Sequence, residues 1–120
     1  MAQEQIASIE QDITKAKAVI DFSNMLVRLK GNRDFKEVVL KGYFETEAIR
    51  LVHLKAEPHM QAPESQRSIV SQIDAIGSFS GYLNTVLVKA AMAGRSLEDN
   101  EQALAEIHLD NANHPDQGAN

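Results

Sequence analysis

Residues 63–110 read PESQRSIVSQIDAIGSFSGYLNTVLVKAAMAGRSLEDNEQALAEIHLD, and the fold turns on how that stretch repeats. With Ile69 set at position a of a heptad, Ile69, Ile76, Leu83, Ala90, Leu97 and Leu104 fall at a, and Gln72, Phe79, Val86, Ala93, Asn100 and Ile107 fall at d. Ten of those twelve are apolar, which makes them the seam of an amphipathic helix. No proline interrupts the stretch after Pro63. At about 1.5 Å per residue the helix is roughly 70 Å long, more than twice the width of a small domain. Such a helix needs partners along its length, from its own chain or from copies of itself.

Working outward, residues 3–30 carry apolar side chains at Ile6, Ile9, Ile13, Ala16, Ile20 and Val27, a three-four spacing with Ser23 as its one lapse. Phe22, Met25, Leu26 and Leu29 broaden that stripe toward its end. Gly31 then suits the left-handed residue of a helix C-cap, and Asp34 with Glu37 has the spacing of a capping box, so a second helix is expected from 34 to 56. Its apolar residues do not hold one face at helical spacing. The stripe shifts across Lys41-Gly42-Tyr43. Because glycine costs about 1 kcal/mol in a helix interior, a kink is expected near Gly42. Four of the six aromatic residues, Phe22, Phe35, Tyr43 and Phe44, lie in this corner, which predicts the densest core there.

Residues 57–63 form the clearest linker, with Pro58 ending one helix and Pro63 suited to the first turn of the next. From Tyr82 to Gly94 the third helix is apolar nearly all round, with only Asn84, Thr85 and Lys89 polar, and reads as surrounded by protein. Gly77 and Gly81 sit off the seam, as a hinge, a point of close packing or a tolerated local weakness. Past Arg95 only the seam stays apolar, and a thin solvated coiled coil is expected. The fold class is therefore all-α, an elongated helical bundle with a coiled-coil seam. Its three main helices are near 3–30, 34–56 kinked near Gly42, and 64–110, the first and third sharing the seam. Residues 1–110 read as one helical domain and 111–120 as a disordered polar tail.

A chain of 120 residues with 43% hydrophobic and 24% charged residues has the composition of one ordinary folded domain. It has no cysteine, hence no disulfide framework and no thiolate metal site. The first thirteen residues have neither the basic start nor the apolar block of a secretion signal, and no apolar run approaches the ~20 residues of a membrane span. A soluble intracellular protein is expected. The net charge of −5 arises entirely in the second half. Residues 1–57 hold nine basic and nine acidic side chains, whereas residues 58–120 hold three and eight. An acidic helix repels the phosphate backbone, so no nucleic-acid partner is assigned. The basic residues Arg28, Lys30, Arg33, Lys36 and Lys41 read as a solvated corner.

Catalytic and ligand chemistry is missing. His53 and His59 are six residues apart, as are His108 and His114, and neither pair has the i, i+4 spacing that puts two imidazoles on one helix face. No glutamate is followed by a histidine three residues later, as a helical di-iron site needs. There is no Gly-x-Ser-x-Gly and no phosphate-cradling glycine loop. Glu47 and Arg50 form an i, i+3 pair that ties one helical turn to the next. No enzymatic activity, cofactor or metal is expected.

The run Asn32-Arg33-Asp34-Phe35-Lys36-Glu37-Val38-Val39-Leu40-Lys41-Gly42-Tyr43-Phe44, continuing through Glu47-Ala48-Ile49-Arg50-Leu51-Val52, resembles small all-helical proteins of tailed bacteriophages. The later Ile73-Asp74-Ala75-Ile76-Gly77 and Ala91-Met92-Ala93 segments are similar too. The resemblance covers about residues 4–107 and brings no catalytic residues to transfer. It implies a non-enzymatic virion or assembly protein, located in the virion or the host cytoplasm, that acts as a homo-oligomer and contacts other virion proteins. A phage regulator that binds and inhibits a host protein is the alternative. From the residues themselves, the oligomer surface is placed at Ile76, Phe79, Tyr82, Leu83, Val86, Leu87 and Ala90.

Overall fold

The computed structural model describes residues 2–113, and among these there is no strand. Helix α1 spans Ala2–Gly31, with Glu4 in its first turn and Arg28 and Lys30 in its last, signs that suit the helix dipole at both ends. A single extended residue, Asn32 (φ −71°, ψ 130°), separates it from α2, Arg33–Phe35. The Phe35 amide donates to the Asn32 side-chain oxygen at 3.0 Å. Asn32 is thus the N-cap, not Asp34, because its oxygen reaches the amide three residues on while its own backbone is still extended. Gly31 has no positive φ, so the expected left-handed cap is absent. The Asn32 amide bonds back to the Leu29 carbonyl instead, and one extended residue makes the turn.

From α2 the chain stays helical through a π-helix, Lys36–Glu47, into α3, Ala48–Ala56. The irregularity expected near Gly42 takes this form. A π-helix bonds each amide to the carbonyl five residues back and so has a wider turn than an α-helix. A Cβ at Gly42 would stand 3.0 Å from the carbonyl oxygen of Glu37, five residues earlier. The wider turn accounts for the shift of the apolar stripe across Lys41-Gly42-Tyr43. Val39 and Leu40, Tyr43 and Phe44 with Gly42 beside them, and Glu47 and Ala48 are the covered positions, recurring every four residues along one face of the wider turn.

Pro58–Met60 forms one 3₁₀ turn, and α4 runs as one helix over Pro63–Asn113. It extends past residue 110, where the polar tail was placed; the rest of that expected tail, 114–120, lies outside the described residues. The turn is closed by two glutamines. Gln61 Nε2 donates to the carbonyls of Lys55 (2.9 Å) and Glu57 (2.8 Å), and Gln66 Nε2 to those of Lys55 (3.0 Å) and Met60 (2.8 Å). Carbonyls at the end of α3, which the helix cannot satisfy itself, thereby gain partners.

The chain divides into two compact units. The first joins α1 residues 2–23 to α4 residues 87–113. Its seam is thin: Ala16 and Ser23 are buried, and Ile6, Ile9, Ile13 and Ile20 on α1 and Leu97, Asn100, Leu104 and Ile107 on α4 are half-buried. The Asn100 amide is satisfied within its own helix, donating to the Ser96 carbonyl at 2.8 Å. The second unit, Asn24–Val86, holds the main core. Leu51 and Ile69 are each 1% exposed and form a cluster with Ile76, against which Tyr43, Phe44, Ala48, Leu54, Met60 and Ile73 pack. Burying a side chain such as Leu51 stabilises the fold by about 1.5–3 kcal/mol.

The structure redraws part of the apolar stripe on α1. Leu26 is buried and Val27 exposed, so after Ser23 the seam advances by three residues instead of four. Ser23, the expected lapse, lies inside the seam. The aromatic corner is only partly a core: Tyr43 and Phe44 are half-buried, whereas Phe22 is exposed. The dense core instead lies where α3 and the start of α4 meet across the turn.

Candidate functional site

The residues with most claim to a role lie on α4 and the π-helix. Of the seven positions placed on an oligomer surface, Ile76 and Leu83 are buried within the chain itself. They are a positions, and the chain's own helices cover them. Val86, Leu87 and Ala90 are half-buried. Phe79 and Tyr82 are 39% and 49% exposed, so the surface the chain leaves open passes through these two. The all-round apolar segment from Tyr82 to Gly94 is not surrounded by its own chain, because Tyr82, Val88 and Met92 all face solvent.

Phe79 belongs to an aromatic cluster that the sequence did not reveal. Its ring centroid lies 5.4 Å from that of Phe44 and 6.3 Å from that of Tyr43, the latter pair edge to face, and Tyr43 lies 5.8 Å from Phe44. Such separations are those at which aromatic pairs attract beyond simple area burial. The π-helix makes the cluster. Two adjacent aromatics, Tyr43 and Phe44, both reach Phe79 on α4 from the π-helix, whose wider turn narrows the angle between neighbouring side chains. Heptad position d at Phe79 is consequently filled from outside the a/d seam.

Electrostatics are sparse here. Glu47 and Arg50 pair at the junction of the π-helix and α3, with the Arg50 Nε donating to both carboxylate oxygens at 3.0 and 3.2 Å. The hydrogen bond from Arg50 holds the Glu47 carboxyl below its ordinary pKa, and the same contact raises that of Arg50. The pair is solvent-exposed and tethers one turn to the next. His59 stands 3.9 Å from the Glu57 carboxylate in the exposed turn. Among the described residues no three histidine, aspartate or glutamate side chains converge as a metal site would require.

The surface grooves do not assemble chemistry either. One, between α1 and α4 in the first unit, is open and lined by Asp12, Lys15, Ala16, Val19, Ala93 and Ser96. What the surface does offer is large aromatic and aliphatic side chains left half in solvent on regular helices, among them Phe22, Met25, Tyr82, Val88 and Met92. No protein-family model, curated protein or solved structure matches this chain.

Proposed function

We propose that the protein is a non-enzymatic bacteriophage structural or assembly component that acts as a helical homo-oligomer in the virion or in the host cytoplasm, presenting helical surfaces to other virion proteins. The observation that carries the reading is how little of its apolar surface the chain covers. Among the described residues six hydrophobic side chains are buried, while Phe22, Met25, Phe79, Tyr82, Val88, Met92 and others of their size stand exposed on regular helices. A helix that keeps large apolar residues in water gains from association, at about 25 cal/mol for each Å² covered. The likeness of residues 32–52 to small phage proteins supplies the biological setting.

Two measurements test this. Light scattering at micromolar concentration should report a mass above that of one 13.2 kDa chain. Mass spectrometry of purified particles should find the protein at a defined copy number. A monomer that is also absent from particles would sink the reading.

A further inference from the structure

Residues 75–88 of α4 contain no aspartate, glutamate, lysine or arginine, the longest such run in a chain of which 24% is charged. The run is bounded by opposite charges, Asp74 before it and Lys89 after it, and both side chains are exposed. Within it, Ala75, Phe79, Tyr82 and Val86 recur at four-three-four spacing and lie along one flank of the helix. That flank is exposed at Ala75 and Tyr82 and open in part at Phe79, one side of whose ring packs on Tyr43 and Phe44, while Val86 is half-buried.

We propose that this flank docks the same flank of a second copy about a twofold axis, with the two α4 helices antiparallel. The inference rests on the homo-oligomer reading above and adds to it the face and the direction. A twofold contact sets each residue near the axis beside its own counterpart. A charge there would meet its like, and this run has none. Asp74 and Lys89 stand equally far from the midpoint of the run, which falls between Gly81 and Tyr82. Antiparallel docking about that point brings Asp74 of each copy alongside Lys89 of the other. Parallel docking would oppose Asp74 to Asp74 and Lys89 to Lys89. It would also align the acidic residues Glu98, Asp99, Glu101 and Glu106 of two copies, whereas antiparallel docking sends them to opposite ends.

The experiment is a charge-swap cycle read by analytical ultracentrifugation over a range of concentrations, with circular dichroism to check that each variant is folded. The wild-type chain is expected to dimerise and Tyr82→Glu to remain monomeric over the same range. Asp74→Lys and Lys89→Asp should each raise the dissociation constant about tenfold, since each places two like-charge pairs across the axis. The double variant D74K/K89D should recover wild-type affinity. Weakening in both single variants without recovery in the double would overturn the antiparallel register. Dimers indifferent to Y82E and to both charge reversals would overturn this face and leave self-association standing. A wild-type chain that stays monomeric up to ~100 μM would overturn both. Should Y82E fail to fold, the charge-swap cycle decides alone.

Discussion

Three glycines separate two uses of the same residue. At Gly42 a Cβ would press on the carbonyl oxygen of Glu37, at 3.0 Å, and that carbonyl belongs to the helix backbone, which cannot swing aside as a side-chain tip would. Gly42→Ala is therefore expected to cost about 1–3 kcal/mol, the penalty of forcing atoms into filled space. Gly77 and Gly81 meet nothing within 4 Å, so alanine at either should raise stability by roughly 0.5–1 kcal/mol through helix propensity. Urea unfolding of the three variants checks both signs at once. Glu47 offers a test of another kind. Its folded-state pKa is lowered by the Arg50 hydrogen bond, so its contribution is complete above the ordinary glutamate value and fades as pH falls through the lowered one. NMR titration should place the Glu47 midpoint below that of a free glutamate, and Arg50→Gln should return it to the ordinary value.

At the level of elements, the helix–turn–helix of α3 and α4 is held by two kinds of interaction that separate mutations can tell apart. Gln66 joins the elements with hydrogen bonds to Lys55 and Met60 carbonyls, while Leu51 and Ile69 join them by burial. Gln66→Ala removes two partners from backbone carbonyls that water can still reach in part, and should lower stability by about 1–2 kcal/mol. Leu51→Ala leaves a cavity in a site only 1% exposed, and should cost about 2–5 kcal/mol. Thermal melts followed by circular dichroism give the comparison; a larger loss from Gln66→Ala than from Leu51→Ala would mean that the turn, not the core, sets the strength of this join. The π-helix is the element least legible from sequence. An α-helical stripe across residues 34–56 would repeat every 3.6 residues, and the covered positions of the π-helix recur at a wider spacing. Gly42 was a visible signal of irregularity, but a kink and a π-turn leave the same mark in a one-dimensional pattern.

For the whole molecule, the decisive quantity is the contrast between covered and uncovered apolar surface. Leu83→Asp puts a charge at a position 9% exposed, against burial worth about 1.5–3 kcal/mol, and should abolish the cooperative thermal transition. Tyr82→Glu, one residue away but half-exposed, should leave that transition near the wild-type temperature at concentrations where the chain is monomeric. The helices and the long α4 seam were readable in advance because heptad periodicity is a local property: every a position from Ile69 to Leu104 is buried or half-buried, as the repeat requires. Which residues would be left outside was not readable. Phe79 and Tyr82 look as apolar as Ile76 and Leu83, yet the folded chain buries the second pair, leaves Tyr82 half in solvent and covers Phe79 only in part, through Tyr43 and Phe44 of the π-helix. The sequence by itself thus determined that these residues form long amphipathic helices, since side-chain spacing along one helix depends on nothing distant. The tertiary structure alone decided the π-turn, the three-residue step at Leu26 and the exposed flank of α4, since each depends on how much room a neighbouring helix leaves.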